Sequence, residues 1–73
     1  MITEEDAIET AREVAAAEGW AWVDPAVVTR RRSWFGEGGR WEVVSNGHKR
    51  GAKVRVVLDA RTGAVLEKGY VPR

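Results

Sequence analysis

The chain holds a single histidine, His48, inside "NGHKRG". Histidine is the usual proton carrier near neutral pH. A nucleophilic site also needs partners that activate and orient it. Those partners are missing around this glycine-flanked loop, so His48 reads as a solvated side chain. Glu9 and Glu13 stand one helical turn apart, a spacing that brings two carboxylates together. Acid–base work needs apolar surroundings that displace their ionisation. The stretch offers none, and a solvated acidic face is expected. One histidine, no cysteine and no spaced acidic loop make neither a zinc nor a calcium site. "GEGGR" is rich in glycine, but it opens no helix whose N-terminus could cradle a phosphate. No cofactor is implied, and no enzyme is expected.

The residues that do stand out lie in "TRRRSWFGEGGRWEV", residues 29 to 43, where three consecutive arginines run into two tryptophans around a glycine-rich tip. Guanidinium groups beside an aromatic ring can hold a nucleic-acid backbone and stack a base. The same pairing anchors many protein interfaces. Seven acids against Arg12 give residues 1–24 a charge of −6, while eleven bases against four acids give residues 25–73 a charge of +7. One half is acidic and the other basic, so the two can serve as each other's counterions. The sequence pI of 8.2 lies below the value of about 9 typical of dedicated nucleic-acid binders.

Seventy-three residues make one domain, and a chain of this size buries only ~60% of its unfolded surface. Such scaffolds usually need a staple. Without cysteine there is no disulfide, which fits a reducing compartment. Four tryptophans favour aromatic packing instead, with oligomerisation as the other route. Hydrophobic content of 44% and charged content of 32% describe a folded chain, not a disordered one. Uncharged runs such as "GWAWV" are far too short to span a bilayer. "MITEEDAIET" is acidic where a signal peptide would be basic. A cytoplasmic location is expected if Met1 is the native start, and an extracytoplasmic one if the chain is processed or excised.

The elements follow from spacing. Residues 3–18 read as a helix, with Thr3 as N-cap, Asp6 as the capping-box acid, and Glu4, Glu5 and Asp6 near the positive end of the dipole. Ala7, Ile8, Ala11, Val14 and Ala15 form one apolar stripe, and Gly19 closes the helix. Ile2 can staple over Ala7, and Pro25 keeps helix away from Asp24. Trp20 and Trp22 fold back as caps on the core. Strands are expected at about 26–34, 40–46, 52–59 and 64–71, joined by "FGEGG", "NGHKRG" and "DARTG". The fold class is α+β, one N-terminal helix packed on a four-stranded antiparallel meander sheet.

Alternation assigns the faces. Trp41, Val43 and Ser45 oppose Arg40, Glu42 and Val44. Val54, Val56 and Leu58 oppose Lys53, Arg55, Val57 and Asp59. In the last strand neither set is clearly buried. The sheet therefore has one wet side, with Val44 and Val57 as exposed apolar candidates. The first strand has two possible registers. If Trp34 pairs with a core Trp41, Arg30 and Arg32 face the helix. If it slips by one, Arg30, Arg32 and Trp34 join Lys53 and Arg55 on the open face.

The helix "ITEEDAIETAREVA", the strand "RWEVV" and the hairpin "VRVVLDARTGAVLE" resemble the PepSY domain, a small α+β module of metalloprotease propeptides and bacterial secreted proteins. Asp59, Thr62 and Gly63 match its strand–Asp–x–x–Thr–Gly–strand turn. Cystatin-like immunity proteins of bacterial toxin systems share such a hairpin. The resemblance covers most of the chain and implies a binding or inhibitory role toward another protein, with no catalytic residues to carry over. The leading expectation is a protein-binding module with a protein partner or a second copy. It would engage through the open face (Arg30, Arg32, Trp34, Val44, Lys53, Arg55, Val57) or a first-strand edge. The alternative is a nucleic acid or other polyanion held on a basic sheet face.

Overall fold

The computed structural model describes residues 2–32, 39–47 and 51–72. One helix, α1 (Glu4–Glu18), precedes four strands, β1 (Val27–Arg32), β2 (Gly39–Val44), β3 (Lys53–Asp59) and β4 (Val65–Val71). All neighbours are antiparallel and the order is β1-β2-β3-β4, a meander with β1 and β4 as its edges. The α+β reading and the helix-on-sheet layout hold.

The start of α1 is a closed capping box. Thr3 Oγ1 accepts from the Asp6 N–H and the Asp6 carboxylate accepts from the Thr3 N–H. Gly19 ends the helix at φ 76°, a conformation that favours glycine. Ala7, Ala11 and Ala15 are fully buried. Their small side chains let α1 lie close on β2 and β3, the strands it contacts most. Val43, Val54, Val56 and Leu58 complete this layer, with Val28, Trp20, Trp22 and Trp41 packed around it.

Strand ends differ from expectation for local reasons. β1 is seen to Arg32, and Trp34 and most of "FGEGG" lie outside the described residues, as does His48. β2 stops at Val44 because Asn46 turns left-handed, at φ 54°. Before it, Ser45 still bridges to β3: its N–H donates to the Val54 carbonyl and its buried Oγ accepts from the Val54 N–H at 2.8 Å. The Asp24–Pro25 peptide is cis.

The last hairpin is an Asx-stabilised turn. Asp59 Oδ1 accepts from the N–H groups of Arg61 and Thr62, and Gly63 takes φ 79°. Ile2 is tied to this turn as well, its N–H donating to the Ala60 carbonyl.

Candidate interaction surfaces

The β1–β2 register decides where the arginines go. Trp41 stands opposite Arg30, not Trp34, and Arg32 stands opposite Gly39. Trp41 also stands opposite the buried Leu58, which fixes it on the helix side. Arg30 is therefore a helix-side residue, its guanidinium 5.2 Å from the Trp41 ring centroid. The grouping of Arg30 with Lys53 and Arg55 on one open face is wrong. Cross-strand partners share a face, and Trp41 is held inward by the core. Trp34 lies outside the described residues, so its place in either grouping is not seen.

The open face collects Arg31 instead. Arg31 contacts Glu42 at 3.2 Å, Glu42 contacts Arg55 at 2.9 Å, and Arg55 contacts Glu67 at 3.4 Å. One chain of ion pairs thus crosses all four strands. Burial pushes the Glu42 carboxyl up. Hydrogen bonds from Arg55 and Arg31, with their charges, outweigh it and hold Glu42 below the usual carboxylate range. Glu42 in turn raises the Arg55 guanidinium. Lys53 donates to the Asn46 carbonyl. Arg31, Glu42, Arg55 and Glu67 thus compensate one another's charges.

Val57 was an exposed candidate on this face and is only 3% exposed. The register sets it between Glu42 and Glu67. Both are drawn toward Arg55, its neighbour on the same face, and long charged side chains cover apolar surface with their stems. Val44 is half-buried. Neither residue makes an apolar patch.

The helix side of β4 is tied to α1. Tyr70 stacks on Trp20 with centroids 5.9 Å apart, and Lys68 pairs with Glu18. Trp22 donates its Nε1–H to Asp24 at 2.8 Å, with Arg12 ion-paired to the same carboxylate and lying over the indole. Trp20 and Trp22 do cap the core.

Glu9 and Glu13 line a shallow groove with Glu5, Ile8 and Arg12, all from α1. No group of three or more His, Cys, Asp or Glu that could hold a metal occurs among the described residues. No helix among them is long and apolar enough to cross a membrane.

The feature that sequence reading missed is the β4 edge. Val65, Leu66, Tyr70 and Val71 are 40%, 46%, 36% and 53% exposed, four of the five large hydrophobics exposed among the described residues. The signal was present: the strand reads apolar at both ends and on both faces. Its edge position was the missing fact.

No family model matches this chain, and neither a curated protein nor a solved structure shows significant similarity to it.

Proposed function

We propose that this is a non-catalytic protein-binding module that engages its partner through the β4 edge. The observation that carries the reading is the set of exposed apolar side chains on an edge strand. An edge offers unpaired main-chain donors and acceptors, and exposed side chains beside them supply specificity. The other edge, β1, ends in Arg30, Arg31 and Arg32, and charges of this kind discourage strand addition. An inhibitory action on the partner is what the PepSY resemblance implies. The polyanion reading has less support, because Arg31 and Arg55 are already engaged by carboxylates and Arg30 faces the helix side.

The test is differential capture. Wild-type protein and Leu66→Lys are immobilised side by side, after circular dichroism shows that both are folded. A protein, including a second copy of this chain, that is retained by the wild type and lost from Leu66→Lys supports the reading. Identical capture by both removes it.

A further inference from the structure

Asn46 is the only asparagine in the chain, there is no glutamine, and Gly47 follows it. An asparagine before a glycine is an especially reactive pair, because no side chain shields the glycine nitrogen from the amide. We propose that Asn46–Gly47 is a self-modification site, held shut in the folded chain, that turns opening of the corner where β2 ends into a permanent covalent change.

The fold calls for both residue types. Asn46 stands at φ 54°, in the left-handed region that asparagine tolerates better than most residues. Its side chain is in use as well, since Nδ2 donates to the Ala52 carbonyl at 3.3 Å. Gly47 is pressed against β1, and a Cβ built there would lie 2.1 Å from Val27 Cγ2. Only glycine fits so close an approach. Packing and turn geometry thus place side by side an amide and a nitrogen that can react.

The reaction needs no co-reactant but water. The Gly47 main-chain nitrogen attacks Asn46 Cγ, and a new C–N bond forms. The Cγ–Nδ2 bond breaks, and the side-chain nitrogen leaves as ammonia, taking up the proton that the Gly47 nitrogen loses. Water then opens the cyclic imide at either of its carbonyls. The product is aspartate at 46, or an isoaspartate whose main chain runs through the former side chain and carries an extra carbon.

In the folded chain each reacting group has another partner. The Gly47 N–H donates to the Pro25 carbonyl at 3.0 Å, and the Asn46 N–H donates to the Val23 carbonyl at 2.7 Å. Nδ2, the leaving group, is held by Ala52, and Asn46 is only 5% exposed. The Lys53 ammonium donates to the Asn46 carbonyl. Ring closure takes Gly47 off Pro25 and Nδ2 off Ala52, so it waits for this corner to open. After reaction the corner does not close as before. The extra carbon of isoaspartate displaces Gly47, and the approach of Val27 leaves no room for that shift. Aspartate sets an acceptor against the Ala52 carbonyl where a donor stood. Either product loosens the stretch Val23–Pro25, which joins α1 to β1 and is anchored through Asn46 and Gly47.

Intact-mass spectrometry tests this on the purified chain aged in mildly alkaline buffer, both folded and in concentrated guanidinium chloride. The mass gain of amide-to-acid conversion reports on Asn46 alone, since no other side-chain amide exists. Conversion is expected to be at least about tenfold slower in the folded chain than in the denatured one. The converted fraction, separated by ion exchange and returned to native buffer, is expected to melt at a lower temperature than the unconverted fraction. Equal rates in the two states overturn the proposal, because the fold then holds nothing shut. A denatured chain that does not convert overturns it at the level of the chemistry. A converted fraction that melts with the unconverted one overturns the permanent change.

Discussion

Arg30 and Trp41 face each other across the β1–β2 ladder, the guanidinium 5.2 Å from the ring centroid. The indole carries its Nε1–H into the interior with no acceptor among the described residues. The contact engages the ring by its face, beside the packing of Trp41 against the core. It fixes the side of the sheet on which the arginine run begins.

Arg30→Ala is expected to lower stability by about 0.5–1 kcal/mol, the usual worth of an exposed cation–π pair. Thermal unfolding followed by tryptophan fluorescence measures it. An unchanged melting temperature would show that the ring is held by packing alone.

Glu42 sets the response to acid. Its carboxyl is held below the usual range, so its contribution is complete above about pH 4.3 and is lost as pH falls through the lower folded-state value. Glu42→Gln is expected to cost roughly 1–2 kcal/mol at neutral pH, the worth of charged hydrogen bonds discounted for the exposure of Arg31 and Arg55. The gap between wild type and variant should close as pH drops. Denaturant unfolding at about pH 7, 4 and 2.5 checks it, and a gap that does not narrow would assign the effect elsewhere.

Gly63→Ala is expected to cost about 1 kcal/mol or more, since alanine resists positive φ. Gly63 stands at φ 79°, and an added Cβ would meet Ile2 Cγ2 at 3.3 Å. Removing the branch with Ile2→Ala in the same chain should relieve the contact but leave the backbone cost. A double-mutant cycle of melting curves separates the two.

Trp20→Ala is expected to cost about 2–4 kcal/mol, because a large half-buried ring leaves a gap at the end of the core. It also frees Tyr70 from its stack. A drop in melting temperature with loss of the near-ultraviolet dichroism of Tyr70 checks both effects. A drop without the spectral change would separate the packing role from the stack.

Local chemistry made much of this protein readable in one dimension. Thr3, Asp6 and Gly19 mark the helix ends because caps answer to nearest neighbours. The Asp59–Gly63 turn is likewise short-range. The inward set of β2 and β3 follows from alternation, since Val43, Val54, Val56 and Leu58 have only one apolar side on which to gather. The placement of Arg30 was not readable, because it depends on a pairing register between strands, and a slip of one residue reverses every face. Nor was the burial of Val57, which depends on carboxylates and a guanidinium brought together from three strands. The exposure of Val65, Leu66 and Val71 depends on strand order: the same residues in a central strand would be core, and at the edge they are the surface on offer.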